Sequence, residues 1–226
     1  MTDAAASHAA EHPPYLAHHF TDIEQQNEAG TLGMWLFLVT EIMFFGGLFA
    51  MYAVYRYRFF EGFREGSHLL RVKFGALNTA VLIGSSLTMA LAVRAAQLSR
   101  RKALIVFLIL TMVLGTAFIG IKLNYEWSAD YHEHLIPWMG FHLESEHASA
   151  VQLFFCFYFF MTGLHALHMV IGLGIMTVLV IMAARGKFDG GHFSPVEVSG
   201  LYWHFVDIVW IFLFPLLYLI GGLYKP

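Results

Sequence analysis

The chain alternates between long apolar runs and short polar connections. The apolar runs cover residues 34–55, 74–93, 103–121, 148–184 and 198–223, and a helix needs about 20 apolar residues to cross a bilayer. The fourth run, free of Asp, Glu, Lys and Arg, would form about 55 Å of helix, so we expect one tilted or protruding helix. The pattern predicts an all-α fold, a polytopic bundle of five transmembrane helices at residues 32–224, after a polar N-terminal tail at residues 1–31.

Composition supports a membrane protein. Of 226 residues, 58% are apolar and 13% are charged, whereas about a quarter of a soluble domain is charged. The net charge of -3 gives no basic excess for phosphate contacts, so nucleic acid is not an expected partner. The single cysteine, Cys156, excludes a disulfide or a thiolate cluster within the chain.

Loop charges favour one orientation weakly. Lys and Arg divide almost equally between the two faces of the predicted bundle, so the positive-inside rule gives nearly a tie. The connection at residues 124–147 contains five acids and no Lys or Arg, an acidic surface more typical of the outer face. It also contains four histidines, whose irregular spacing favours solvated side chains over an ion site. We therefore expect the N-terminus in the cytoplasm.

Five ionisable residues lie inside the predicted spans: Glu41, His165, His168, His204 and Asp207. An ionisable group in hydrocarbon costs several kcal/mol unless it is paired or hydrated, so these residues are functional candidates. Glu41 has no Lys or Arg in another span to pair with, and we expect the neutral acid to predominate. Two interpretations of Glu41 remain open: it relays protons, or it makes a structural hydrogen bond to a neighbouring helix.

The histidines fall in two pairs with i, i+3 spacing, which places each pair on one helix face. His165 and His168 follow Gly163, which with Gly172 and Gly174 would permit close helix approach. His204 precedes Asp207, whose carboxylate could accept a hydrogen bond from an imidazole. Neither pair supplies a closed ligand set, so we expect hydrogen-bonded packing pairs and no metal.

Other positions suggest helix packing. Trp203, Asp207 and Trp210 share one stripe of the last span. Asn78 lies in the second span with several small hydroxyl residues, which commonly hold membrane helices together.

Several of these stretches resemble one family, cytochrome c oxidase subunit III. Residues 202–214 resemble its YWHFVDxVW signature, and residues 162–170 resemble TGxHGxHV, departing at Ala166 and Met169. Residues 33–49 resemble the segment around the family's carbodiimide-reactive carboxylate, which assigns that role to Glu41. Residues 77–82, including Asn78, match the next helix, and His192 and Glu197 keep the family's spacing.

The resemblance implies a non-redox accessory subunit in a bacterial inner membrane, with the N-terminus cytoplasmic and the C-terminus outside. Haem and copper would belong to partner subunits, and this chain would pack on catalytic subunit I in a complex with subunit II. Family members bind phospholipid in a cleft and are thought to support proton uptake, protection during turnover and oxygen access. A respiratory supercomplex is a further partner that the resemblance allows.

The sequence departs from the family after the third span, where Lys122 and Glu126-Trp127 stand in place of the usual Gln and Glu-Tyr. The departure leaves the oxidase branch and electron donor open, so a quinol oxidase or nitric oxide reductase subunit is an alternative. A stand-alone transporter or proton channel around Glu41 and Asp207 is another, although paired helix breaks are lacking. A third is an assembly and lipid-binding subunit without a proton role.

Overall fold

The computed structural model describes residues 20–188 and 193–220, and within these ranges the chain is helical without strands. Five helices are long and apolar enough to cross a membrane, which confirms the predicted five-helix fold. The elements are α1 (Ile23–Arg58), α2 (Phe60–Leu69), α3 (Val72–Gln97), α4 (Arg101–Ile121), a π-helical segment (Lys122–Trp127), α5 (Ser128–His132), α6 (Ala148–Ala184) and α7 (Ser194–Tyr218).

Several helices extend beyond the predicted apolar runs. Helix α1 begins at Ile23, inside the predicted polar tail, because Asp22 caps it by accepting a hydrogen bond from the Gln25 amide at 2.7 Å. Helix α4 continues through the π-helical segment into α5, so the connection expected at residues 124–147 begins as helix. The fourth apolar run forms one continuous helix, as predicted.

The chain order gives the bundle two ends. Helix α1 begins at the first end, together with the α3–α4 and α6–α7 turns, and α2 and α5 lie at the second end. Gln97 and Glu197 meet at the first end, with the amide donating to the carboxylate at 2.7 Å. At the second end, the Tyr52 and Ser67 hydroxyls donate to the carbonyls of Leu216 and Leu217, at 3.0 and 2.8 Å. These two bonds satisfy acceptors that the end of α7 leaves open.

Helix α7 lies at the centre and packs against α3, α6 and α1, whereas α4 packs against α3 and α6. The largest side chains of α7, Trp203 and Trp210, are fully buried. Helix α1 contributes few residues to the core, and its flanks leave apolar grooves against α6 and α7. The bundle therefore consists of a packed four-helix body with α1 at its edge.

Candidate functional site

Glu41 and His168 form a pair between α1 and α6. Glu41 Oε2 lies 3.2 Å from His168 Nε2, and both side chains are largely buried. His168 Nδ1 is 2.8 Å from the Leu164 carbonyl, which can only accept, so Nδ1 carries a hydrogen. Nε2 then faces a neutral acid as an imine nitrogen or, as part of an imidazolium, faces the carboxylate; the contact has the distance of an ion pair but not the geometry of a hydrogen bond. Both states have zero net charge, which reduces the cost of burying the pair.

The sequence singled out both residues of this pair but did not predict that they meet. It also placed His168 with His165 in a hydrogen-bonded packing pair, and the structure differs there. His165 is 1% exposed and packs against the rings of Phe118 and Trp210, at 5.5 and 5.2 Å between centroids. Neither ring nitrogen of His165 has a hydrogen-bond partner among the described residues.

His204 and Asp207 also take different partners from those predicted. His204 Nδ1 lies 2.7 Å from the Ser86 hydroxyl of α3 rather than bonding to Asp207. Asp207 is 3% exposed. Ser86 is close enough to interact with the Asp207 carboxyl group, but neither carboxyl oxygen makes a hydrogen bond of normal geometry within the described residues. Helix α3 therefore supplies the partner of the histidine.

The two tryptophans on the α7 stripe are held by α3. Trp203 Nε1 donates to Ser85 Oγ at 3.1 Å, and Trp210 Nε1 donates to Thr79 Oγ1 at 3.0 Å. The small polar residues of the second span therefore hold helices together. Asn78 is fully buried beside them, although its amide has no hydrogen-bond partner in the described part of the chain.

The remaining motif residues divide between contact and open surface. A Cβ added at Gly172 would lie 2.8 Å from the Trp203 ring, so α6 and α7 approach closely there. At Gly163 and Gly174 it would meet no atom of the described residues within 4 Å, so those residues do not make the predicted close approach there. Glu197 bonds to Gln97, as described above, and His192 lies outside the described residues.

The sequence did not identify a buried charged cluster at the second end, which we call the Lys122 cluster (Lys122, Glu126, Tyr158 and Tyr218). Lys122 and Glu126 are each 2% exposed, and Lys122 Nζ lies 2.5 Å from Glu126 Oε2. The ammonium also donates to both tyrosine hydroxyls, at 3.1 Å for Tyr158, and both hydroxyls donate to Glu126 Oε2, at 3.2 Å from Tyr158.

Aromatic faces complete the environment of this ammonium. Lys122 Nζ lies 4.7 Å from the centroid of the Tyr158 ring and 5.1 Å from those of Trp210 and Tyr218, within cation–π range. Both charged residues belong to the π-helical segment, a type of local widening that is frequent at functional sites. The sequence signals were the Lys and Glu four residues apart at the end of an apolar run and the departure from the family in the same segment.

The acidic surface predicted at residues 124–147 also differs in the structure, because two of its acids are buried. Glu126 and Asp130 are 2% and 4% exposed, so they are interior groups and not part of an acidic surface. Glu133 is exposed and bonds to Arg71 at 2.9 Å, while Glu144 and Glu146 are exposed. The acidic surface is therefore smaller than the sequence indicated.

No metal centre is defined within residues 20–188 and 193–220, where no three His, Cys, Asp or Glu side chains are placed to hold an ion. The expectation that this chain binds no metal stays a prediction. All four histidines of the acidic connection are exposed to solvent. They differ in this respect from the buried residues of the Lys122 cluster.

Two apolar grooves flank α1. The α1–α6 groove has a volume of about 700 Å³ and the α1–α7 groove about 420 Å³. Leu48, Met51, Cys156, Phe160 and Gly163 line the first, and Trp35, Ile42, Phe49, His204 and Phe212 line the second. The Glu41–His168 pair contacts one lining residue of each groove: Leu164, whose carbonyl is 2.8 Å from His168 Nδ1, lines the first, and Phe45, which contacts the His168 ring at 5.5 Å, lines the second.

A bundle of five helices long and apolar enough to cross a membrane, with a buried carboxyl–imidazole pair between two of them, defines a polytopic integral membrane protein. The family model described as cytochrome c oxidase subunit III matches residues 14–222. The chain therefore belongs to the cytochrome c oxidase subunit III family, whose members are subunits of haem-copper oxidases.

Curated relatives are bacterial and name both classes of electron donor. Quinol oxidase subunit 3 of Bacillus subtilis is 32% identical over 88% of this chain and 92% of the relative. Cytochrome c oxidase subunit 3 of Alkalihalophilus pseudofirmus is 32% identical over 84% and 86%. Cytochrome bo(3) ubiquinol oxidase subunit 3 of Pseudomonas aeruginosa is 34% identical over 84% and 85%. These relatives and the five helices fit a multi-pass bacterial membrane protein.

Proposed function

We propose that this chain is the non-redox accessory subunit of a haem-copper terminal oxidase that reduces oxygen and pumps protons. It packs on catalytic subunit I in a complex with subunit II, and the partner subunits carry haem and copper. The family match over residues 14–222 carries this proposal. The Glu41–His168 pair supports a role in proton supply to the catalytic subunit.

The chemistry of the pair fits a proton buffer. Its proton can reside on Glu41 or on His168 Nε2 without changing the net charge, because transfer to the imidazole creates a carboxylate and an imidazolium side by side. Accepting or releasing a proton would instead leave a net charge in a low-dielectric site. Proton exchange with the surroundings would therefore require a neighbouring subunit or a hydrated lipid headgroup that stabilises the charged state.

The two α1 grooves are proposed to bind phospholipid. Their walls are almost entirely apolar, and their volumes of about 700 and 420 Å³ suit acyl chains. Binding would place acyl chains on both sides of the Glu41–His168 pair and separate it from bulk water. We expect phospholipid to be retained with the purified complex and delipidation to loosen α1.

The orientation follows the family, with the first end of the bundle in the cytoplasm and the second end outside. A cysteine introduced into residues 1–19, in a Cys156→Ala background, should react with a membrane-impermeant thiol probe only after the cells are opened. Labelling of that cysteine in intact spheroplasts would reverse the assignment.

The near-equal similarity to quinol and cytochrome c oxidase subunits favours an electron donor that docks on another subunit. Identities of 32% to both donor classes are expected if this chain contains no donor site. Purification of the complex from native membranes, followed by turnover with a quinol and with cytochrome c, would identify the donor.

Glu41→Gln tests the proton-support role. Glutamine keeps the shape and can bond to His168, so assembly should survive while sustained turnover or pumping falls modestly. A hydrophobic carbodiimide, which attacks the neutral acid, should modify Glu41 ahead of other carboxyl groups in the membrane. Glu61→Gln, which changes an exposed acid paired with Arg64 at 3.4 Å, is the matched control. If Glu41→Gln leaves turnover, pumping and lifetime during catalysis unchanged, Glu41 is a packing residue.

A further inference from the structure

Basic residues gather at the first end of the bundle, on the turns that join α3 to α4 and α6 to α7. Residues 94–102 and 185–187 contain six Lys and Arg and no acid. None of the six makes an ion pair with another described residue. We call this positively charged surface the basic end. Its exposed members are Arg94, Arg100, Arg101, Lys102, Arg185 and Lys187.

One hydrogen bond joins the two turns. A guanidinium nitrogen of Arg101, at the start of α4, donates to the carbonyl of Ala184, at the end of α6. A guanidinium has five N–H donors, so Arg101 keeps donors for another ligand. Helix α4 also begins without a side-chain cap, and the first amides of a helix favour an anion. The basic end therefore combines positive charge with hydrogen-bond donors.

An apolar groove between α4 and α6 leads from the basic end toward the middle of the bundle. It has a volume of about 580 Å³, and its lining includes Ile109, Val113 and Thr116 of α4 and Thr177 and Ile181 of α6. The two threonine hydroxyls donate to carbonyls of their own helices, both at 2.8 Å. Their hydrogens are thus already satisfied, and the groove suits an apolar occupant.

The groove and the basic end share the same helix faces. Lys102 precedes Ile109 by seven residues and Arg185 follows Ile181 by four, spacings that keep each cation on the groove side of its helix. At 1.5 Å per residue these separations are about 10 and 6 Å along the helix axes. A molecule lying in the groove would therefore carry its outer end to Lys102 and Arg185.

We propose that the groove and the basic end together bind one anionic phospholipid. Its acyl chains lie in the groove, and its phosphate contacts Lys102, Arg185 and the remaining N–H donors of Arg101. Basic pockets between membrane helices suit negatively charged headgroups. The site is separate from the α1 grooves, because α1 does not pack against α4. The proposal does not depend on the proton-support role of Glu41.

Charge decides between a lipid and a protein occupant. An apolar helix of another subunit could fill the groove, but it would leave the cations of the basic end without a counter-charge. A single Lys or Arg at the end of a span is an ordinary interfacial anchor, whereas six on two adjacent turns, at the mouth of one groove, select a negative headgroup. An anionic phospholipid satisfies both parts of the site.

The test is the intact oxidase complex in nanodiscs that contain equal amounts of phosphatidylglycerol and phosphatidylcholine. In a high-resolution cryo-electron microscopy map, we expect acyl-chain density in the α4–α6 groove and headgroup density within about 4 Å of Lys102 or Arg185. An empty groove, a helix of another subunit in the groove, or a headgroup directed away from the basic end overturns the proposal.

Native mass spectrometry of the same complex tests the selectivity for charge. Lys102→Gln with Arg185→Gln should lose one bound phosphatidylglycerol per complex, and restoring it should require about 10- to 30-fold more of that lipid. Bound phosphatidylcholine should not change. Arg58→Gln with Lys73→Gln is the matched control, because it removes two exposed cations from the second end and should retain the lipid. Equal retention in both double variants, or equal loss, overturns the proposal.

A groove variant tests the apolar part separately. Val113 is 58% exposed, so Val113→Trp should fill the groove without disturbing the core and displace the acyl-chain density while all six cations remain. Unchanged acyl-chain density in this variant shows that the groove assignment is wrong. Lipid in the α1 grooves should persist in every variant, so failure here is distinguishable from failure of the proposed α1 lipid sites.

Discussion

The Lys122 cluster gives the sharpest test of how this bundle tolerates charge in its interior. Lys122→Met keeps an unbranched side chain of similar length and removes the ammonium, so Glu126 stays buried without a cation. Breaking a buried ion pair in this way typically costs about 3–5 kcal/mol. The Tyr158 and Tyr218 hydroxyls still donate to Glu126 Oε2, which places the expected loss near the lower limit, about 3 kcal/mol.

Removing both charges should cost less than removing one. In Lys122→Met with Glu126→Leu, no charge remains buried at the position of the pair, and apolar replacements of buried ion pairs are often neutral or stabilising. The two tyrosine hydroxyls lose their shared acceptor, so we expect partial and not complete recovery. The coupling energy of the double-mutant cycle should therefore exceed about 1 kcal/mol.

The assay is thermal unfolding of this subunit within the purified oxidase complex, measured as the temperature at which it leaves the folded complex. For a chain of this size, 1 kcal/mol corresponds to about 2–4 °C, so Lys122→Met should lower the midpoint by about 6–12 °C. Lys73→Met is the control, because Lys73 is exposed and its loss should shift the midpoint by no more than about 2 °C.

Two results would refute this reasoning. If Lys122→Met shifts the unfolding midpoint no more than Lys73→Met does, the tyrosine hydroxyls stabilise Glu126 as well without the ammonium as with it. If the double variant is as unstable as the sum of the single variants, the charges do not compensate each other and the cluster stabilises the bundle through packing alone.

Two further predictions concern α7 and its neighbours. Gly172→Ala should lower stability by about 1–3 kcal/mol by overpacking, because its Cβ would lie 2.8 Å from the Trp203 ring, whereas Gly174→Ala has no neighbour within 4 Å and should be neutral in the same thermal assay. Ser86→Ala should cost about 1–3 kcal/mol by leaving His204 Nδ1 without its hydroxyl partner at 2.7 Å; equal stability of Ser86→Ala and wild type in that assay would show that His204 is satisfied otherwise.

Much of the fold followed from the sequence because the bilayer imposes a simple rule on length and polarity. Each apolar run of about 20 residues or more had to become a spanning helix, and the five helices confirm it. The ends were harder to place, because helix α1 gains its first turns from the Asp22 cap and not from apolar residues. The polar residues in the first turns of α1 carry no hydrophobic signal, so the sequence did not predict that the helix begins at Ile23.

The sequence identified the ionisable residues inside the predicted spans but not the residues that they contact. Intramembrane Glu41, His165, His168, His204 and Asp207 stood out because charge in hydrocarbon is costly. Their partners did not, because partners are chosen by which helices are adjacent. The i, i+3 spacing favoured pairs within one helix, but the structure pairs His168 with α1 and His204 with α3.

The Lys122 cluster shows why the position of a lysine at the end of an apolar run does not predict whether its charge reaches water. A lysine after an apolar run is ordinarily an interfacial anchor whose charge reaches water. Here the π-helical segment carries Lys122 and Glu126 into the interior, where hydroxyls 36 and 96 residues further along the chain receive the ammonium. Such an arrangement requires α4, α6 and α7 to converge at one point, and only the folded bundle brings them there.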